Sequence, residues 1–395
     1  MSPSALARHR GSGHSTGALA APVLADLDGD GKLDIVQAAW DGHVYAWHGD
    51  GTALSGWPVD TDYPALRPSG QTYARDDKVV ATPAVVDIDG DGTPDLVVAL
   101  QDTSWPSSSS PSTGPISGYL LAFYGQGTAR GNAGLIDGWP VALQGLVQGY
   151  GTAQDFITEG LTSPVVYDLP TGPVAVVTVN LFSQYLVDLR TRTTRQFGNA
   201  SLAQGGAIVP FTTSPSAGDL LGGGVPQIAQ SGSSASDVVT GVVETPGMGI
   251  QVHSGVGVWD PSTGQSLSQF SQPIQGLAFI SAPALADVSG DGVPDVILAT
   301  DSAALHAWDG RTGQPVAGFP KWTGGFSLFT PAVADLDCDG RLEVAVMTRE
   351  GYLHVFRTNG LASAARQAWH WHQDNRNTGH WGPDAGPGEG RCGGT

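Results

Sequence analysis

An all-β fold, a β-propeller of four-stranded antiparallel blades, is what the sequence predicts, on three observations. One short segment recurs six times along the 395 residues. Each copy is followed by runs of Val, Ile and aromatic residues parted by Gly-containing turns, the pattern of strands joined in hairpins. No long stretch keeps the 3.6-residue period of an amphipathic helix.

The repeats set the architecture. Residues 21–38 read APVLADLDGDGKLDIVQA, 82–99 read TPAVVDIDGDGTPDLVVA, 282–299 read APALADVSGDGVPDVILA, and 330–346 read TPAVADLDCDGRLEVAV. Two worn copies, SPVVYDLPTGPVAVV from Ser163 and SPSAGDLLGGGVPQIA from Ser214, lie between these pairs. The first Asp of each copy stands at 26, 87, 168, 219, 287 and 335, at intervals of 61, 81, 51, 68 and 48 residues. Units of this length each hold about four strands, and six of them make a propeller. The alternative is seven blades, the last closed by the chain termini. A β-helix solenoid is disfavoured, because hairpins that return on themselves do not build its one-strand-per-turn ladder.

Within a unit, the acidic loop leads into a β-branched strand such as Asp34-Ile35-Val36. A turn at Asp41-Gly42 follows, then an alternating aromatic strand, His43 to Trp47. Gly-Trp-Pro-Val closes the unit at 56–59 and again at 138–141, with Gly318-Phe319-Pro320 as a variant. The propeller is expected over 20–360. Segment 1–19 precedes it and can add a closing strand, and 361–395 holds an aromatic closing segment and a Gly-rich tail.

The loop spacing D-x-D-x-D-G-x-x-D is the most specific chemical signal. Asp26, Asp28, Asp30 and Asp34 occupy positions 1, 3, 5 and 9, and Asp87, Asp89, Asp91 and Asp95 repeat them. Asp287, Ser289, Asp291 and Asp295 form a third set, and Asp335, Asp337, Asp339 and Glu343 a fourth. Alternate residues of a tight turn aim their oxygens inward, and position 7 (Lys32, Thr93, Val293, Arg341) can add a backbone carbonyl. Six to eight hard oxygens at about 2.3–2.6 Å suit Ca²⁺ better than Mg²⁺. Up to four Ca²⁺ are therefore expected, bound most weakly at the loop with Ser289. An EF-hand is excluded: its bidentate Glu at position 12 is replaced by Gln37, Val98, Leu298 or Val346, inside strand-like runs. The worn loops keep only Asp168 and Asp219 and are expected to hold no metal.

The pattern A-P-x-x-A-D-x-D-G-D-G-x-x-D-[IL]-V resembles the FG-GAP/VCBS repeats of integrin α-subunit propellers and of many bacterial secreted or surface proteins. The resemblance spans about 20–360. It implies a propeller with Ca²⁺ in the loop joining the first two strands of a blade, and adhesion or ligand binding more often than catalysis. Integrin propellers have seven blades and are followed by stalk domains; six repeats and no stalk are seen here. The tail Trp369-His370-Trp371-His372, with Asp374, Asn377-Thr378-Gly379 and Trp381, resembles the aromatic closing segment of bacterial propellers. A metal site from His370, His372 and His380 is the alternative, less economical than packing of the alternating rings.

With acidic loops and third-to-fourth turns at one face of the propeller, the long segments 61–78, 101–118, 143–160 and 231–249 sort to the other. Long loops in compact domains are usually functional or disordered. They carry Tyr63, Arg67, Tyr73, Arg75, Trp105, Tyr150 and Phe156 as candidate anchors for a protein or glycan ligand. The bland reading is that these rings pin their own loops.

Charge and motifs exclude other classes. Thirty-seven acids against 18 bases give a net charge of −19, without the basic face that nucleic acid needs. Fifteen of those acids sit in the four full loops, and four Ca²⁺ would bring −19 to −11. No apolar run is long enough to span a bilayer. Gly13-His14-Ser15-Thr16-Gly17 lacks the strand and helix of a nucleophile elbow, and no metalloprotease, P-loop or Rossmann motif occurs. No catalytic residue is expected. Trp308 to Gly313 and Trp259 to Gly264 faintly resemble blades of quinone-dependent dehydrogenases, and calcium propellers also serve as polysaccharide lyases, so such an enzyme is the alternative. A scaffold or passenger module of a larger secreted protein is another. Asn199-Ala200-Ser201 is a formal sequon. Extracellular calcium modules work at Kd near roughly 10⁻⁴–10⁻³ M, a supply the cytosol lacks. A secreted or cell-surface monomer is therefore expected, although Met1 to Gly11 shows no signal-peptide core. Cys338 stands where the other full loops carry Gly, and can pair with Cys392.

Overall fold

The structure is a computed structural model that describes residues 17–61, 79, 81–101, 117–144, 162–179, 183–199, 209–236, 251–274, 281–327, 329–363 and 368–382. The chain forms two compact units, Met1–Leu161 and Thr162–Thr395. The described residues form six sheets and contain no α-helix.

In the first unit, β1 (Val23–Ala25), β2 (Asp34–Ala38), β3 (His43–His48) and β4 (Val59–Asp60) pair antiparallel in chain order. So do β5 (Ala84–Val86), β6 (Asp95–Gln101), β7 (Ser117–Phe123) and β8 (Val141–Gln144). The second unit continues with β9 (Val165–Leu169), β10 (Gly172–Val179), β11 (Ser183–Asp188) and β12 (Thr194–Asn199). Next come β13 (Val209–Thr212), β14 (Ser216–Gly218), β15 (Gln227–Ser236), β16 (Gln251–Asp260) and β17 (Gln265–Ile274). Then follow β18 (Ala284–Ala286), β19 (Asp295–Ala299), β20 (Ala304–Trp308) and β21 (Lys321–Trp322), and after them β22 (Ala332–Ala334), β23 (Arg341–Met347) and β24 (Leu353–Leu361). These are the propeller-type blades the repeats predict, with the acidic or worn loop between the first two strands of five sheets and between β14 and β15 of the fourth.

Three departures stand out. Strands β13 and β14 both pair with the long β15, parted at Thr213-Ser214-Pro215, where proline can donate no ladder hydrogen bond. The segment 231–249, expected as a loop, begins as strand: Ser231–Ser236 continues β15, with Ser236 opposite Gln251, because the antiparallel ladder with β16 runs on without a break from Ile228. The sixth sheet shows three strands rather than four. The tail strand β25 (His380–Trp381) does not complete it but pairs in parallel with β9 of the third sheet.

Burial explains the strand sequences. In β2, buried Asp34, Val36 and Ala38 alternate with half-buried Ile35 and Gln37, the period of two that a strand with one better-covered face requires. All five residues of β19 are buried, which is why Asp-Val-Ile-Leu-Ala runs apolar without alternation after its first residue. In the second unit three apolar clusters fill the spaces between successive sheets.

The turns after third strands are built on close approach. A Cβ added to Gly125 would lie 2.3 Å from the Pro94 carbonyl oxygen, and one on Gly310 would lie 2.1 Å from that of Pro294. Backbone oxygen cannot move aside as a side chain can, so Gly125→Ala and Gly310→Ala should each cost roughly 1–3 kcal/mol. Thermal melts of the two variants check this, and unchanged melting would contradict the packing.

Candidate metal centres

Each full loop is wound around its first carboxylate. Asp26 accepts hydrogen bonds from the Gly29 and Asp30 N–H groups on Oδ1 (2.8 and 3.1 Å) and from Gly31 on Oδ2 (2.9 Å). Asp87 takes Gly90 (2.7 Å) and Gly92 (2.9 Å), and Asp287 takes Gly290 (2.6 Å), Asp291 (3.2 Å) and Gly292 (2.9 Å). Asp335 takes Asp339 (3.1 Å) and Gly340 (2.9 Å). Position 5 receives the N–H of position 7: Lys32 to Asp30, Thr93 to Asp91, Val293 to Asp291 and Arg341 to Asp339, all at 2.8–2.9 Å. Position 9 begins the second strand in three loops, is the third residue of β23 in the fourth (Glu343), and reaches back to the loop in all of them. Asp34 accepts from Leu27, Asp95 from Ile88, Asp295 from Val288 and Glu343 from Leu336.

This winding brings acidic oxygens together. One oxygen each from Asp26, Asp28 and Asp34 lies within 4.8 Å of the others, as do oxygens from Asp87, Asp89 and Asp95, and from Asp335, Asp337 and Asp339. Asp30, Asp91 and Glu343 fall outside these groups, and the loop with Ser289 assembles no group of three acids. That loop nonetheless leaves Asp295 Oδ1 buried and without a hydrogen-bond partner. Burial pushes the Asp95 carboxyl up to about 7, with Asp89 and Asp91 adding to the rise and the Ile88 N–H opposing it. Asp295 is likewise pushed up to about 7 by burial, reinforced by Asp287 and Asp291. Clustered, buried carboxylates that resist ionisation, one with an orphaned oxygen, fit a divalent cation.

The worn loops show what the first acid does alone. Asp219 accepts from Gly223 (2.9 Å) and Gly224 (2.7 Å), the same bracing without further acids. Asp168 instead pairs with His380 at 3.0 Å. Cys338 is disulfide-bonded and adopts φ 62°, the left-handed conformation that Gly29, Gly90 and Gly290 take in the other full loops. Cys392, the partner expected from the sequence, lies outside the described residues.

The three tail histidines do not converge on a metal. His370 Nε2 meets Asn375, His372 sits between the carbonyl oxygens of Asn377 and Pro164, and His380 meets Asp168. What the sequence did not reveal is where the tail runs: across the inner strands of all four sheets of the second unit. Val166 N–H donates to Gly379 O (2.8 Å), Leu285 to Ala368 O (2.9 Å) and Val333 to Trp369 O (2.7 Å). Gln373 binds both backbone groups of Ala217 through its amide (3.1 and 2.9 Å). Trp369, Ala368 and Trp381 each enter one of the three inter-sheet clusters.

The motifs that resembled quinone-dependent blades are hairpin turns. Asp309 Oδ1 accepts the Arg311 and Thr312 N–H groups, and Asp260 and Asp188 form similar Asp-anchored turns. Tyr63, Arg67, Tyr73, Arg75, Trp105, Tyr150 and Phe156 all lie outside the described residues.

The family model described as FG-GAP-like repeat matches residues 26–98 and 287–346, which contain the four full loops. In these two segments the chain carries FG-GAP-like repeats. Comparison with curated protein sequences finds no match. Among solved structures, the Dos1 propeller is 10% identical with TM-score 0.44, over 88% of this chain and 78% of that one. BBS1N, in complex with ARL6DN, is 12% identical with TM-score 0.44, over 90% and 84%. The quinohemoprotein alcohol dehydrogenase ADHIIG from Pseudomonas putida HK5 is 11% identical with TM-score 0.36, over 81% and 61%. At these scores none of the three supports a function for this chain. No described helix is long and apolar enough to cross a membrane.

Proposed function

We propose that the chain is a calcium-stabilised, non-catalytic binding module of the cell exterior, secreted or surface-held. Its FG-GAP-like loops take up to four Ca²⁺ through Asp26, Asp28, Asp30 and Asp34; Asp87, Asp89, Asp91 and Asp95; Asp287, Ser289, Asp291 and Asp295; and Asp335, Asp337, Asp339 and Glu343. The observation that carries this is the convergence of three acidic oxygens within 4.8 Å in three of the loops. Within the second unit, the inner-strand groups that would line a channel-type active site are instead hydrogen-bonded to the tail, which favours binding over catalysis. The ligand, protein or glycan, is taken up by the long segments that the sequence marks out at 61–78, 101–118, 143–160 and 231–249.

Titration of chelator-stripped protein with Ca²⁺ by isothermal calorimetry should return saturable binding, and an absence of heat would remove the metal from this reading. Glycan-array and pull-down capture without turnover on polysaccharide or alcohol panels is the expected functional result. Turnover would instead establish the enzyme alternative.

A further inference from the structure

The four full loops share a second feature: each is met by a basic side chain. His48 at the end of β3 lies 3.1 Å from Asp34 and 4.0 Å from Asp28, and Lys32 holds Asp30 at 2.9 Å. Arg311, beyond β20, approaches Asp291 at 3.6 Å. Arg357 in β24 pairs with Asp337. The second loop has the most complete case. One guanidinium, Arg130, spans two carboxylates, with Nη1 2.9 Å from Asp91 Oδ2 and Nη2 3.0 Å from Asp89 Oδ2.

The atoms involved decide what this does. Asp89 Oδ1 is occupied by the Asp91 N–H (3.1 Å) and Asp91 Oδ1 by the Thr93 N–H (2.8 Å). The Oδ2 atoms are the oxygens that accept no bond from the Asp91 and Thr93 N–H groups, and Arg130 holds both. Arg130 is also placed in advance: it ends a short 3-10 turn, Gly127–Arg130, and its guanidinium carbon lies 4.6 Å from the centre of the Tyr124 ring. Lys32, by contrast, is a loop residue whose side chain is 81% exposed, and the Arg357 side chain is 75% exposed.

Resting on the calcium reading above, we propose that Arg130 is a built-in counter-ion of the second loop, so that metal uptake there is an exchange in which Ca²⁺ displaces the guanidinium from Asp89 and Asp91. Two consequences follow in opposite directions. In metal-free protein the guanidinium offsets carboxylate repulsion and stabilises the loop. In the presence of Ca²⁺ it competes and weakens the site.

The experiment is calcium calorimetry on chelator-stripped wild type, Arg130→Gln and Arg130→Lys, with metal-free melts of all three. Arg130→Gln should tighten one site by roughly three- to tenfold, the scale of a partly exposed double ion pair, and should lower the metal-free melting temperature. Arg130→Lys, a point charge that cannot bridge both carboxylates, should fall between, and it keeps the test open if the glutamine variant folds poorly. Adding Asp87→Asn to Arg130→Gln should abolish the tightened site, which assigns it to this loop. Unchanged or weaker calcium affinity in Arg130→Gln overturns the exchange while leaving the calcium reading intact. If wild type binds no calcium, the metal reading fails and the exchange fails with it.

Discussion

Stripping calcium with EGTA should lower the melting temperature of both units, and restoring Ca²⁺ should recover it. A ligand bound only by the native state adds about 2.7 kcal/mol per site at a hundredfold excess over Kd. For units of this size 1 kcal/mol corresponds to about 2–4 °C, so one saturated loop is worth roughly 5–10 °C. Two full loops lie in each unit, at Asp26 and Asp87 in the first and at Asp287 and Asp335 in the second. Calorimetric scans should therefore show every transition moving. The destabilisation has a named origin: Asp95 and Asp295 are buried acids whose ionisation is opposed by burial and by neighbouring acids. Magnesium should restore less, because it dehydrates reluctantly and demands a stricter octahedron. Asp26→Asn should remove part of the calcium-dependent gain, since it removes charge while keeping a carbonyl oxygen able to accept the loop N–H groups. Melts that do not change with EGTA would leave the acidic loops as hydrogen-bonded turns and nothing more.

The blades and their loops were legible because their determinants are local. Gly at position 6, carboxylates at alternate positions and an alternating or fully apolar strand on either side need no distant partner to be recognised. What a carboxylate does was less legible. Position 9, expected as a ligand, also braces the loop backbone in all four copies. The worn Asp219 keeps the bracing of position 1 without the other acids, so retention of the first acid reports loop geometry as much as metal. The basic partners were invisible for a different reason: Arg130 lies 39 residues from Asp91, and only the hairpin of β6 and β7 brings the two together. The tail was recognised as aromatic closure, but its route was not. A glutamine that imitates backbone, such as Gln373, leaves no pattern in sequence, because its partner Ala217 lies 156 residues away.

Gln373→Ala should be among the most damaging substitutions outside the loops. Gln373 is 1% exposed and satisfies both the N–H and the carbonyl of Ala217 in β14. Alanine leaves two buried backbone groups unpaired, at about 1–3 kcal/mol each. Trp369→Ala should cost about 3–5 kcal/mol by opening a cavity in the apolar cluster between the fifth and sixth sheets, to which Trp369 belongs with Ile297, Leu305, Val333 and Val344. Arg376→Ala, on an exposed turn of the same tail, should change melting little. The pattern of loss matters more than its size. The tail bonds the inner strand of four sheets in succession, through Val166, Ala217, Leu285 and Val333, so loosening it at one point should expose the others. Hydrogen exchange of Gln373→Ala should then show faster exchange in β9, β14, β18 and β22 together. Loss of protection confined to β14 would mean that each sheet holds its own length of tail independently. A shared loss would make the tail the strap that turns four separately paired sheets into one cooperative unit, because strands that meet mainly through apolar contacts gain a continuous hydrogen-bonded partner.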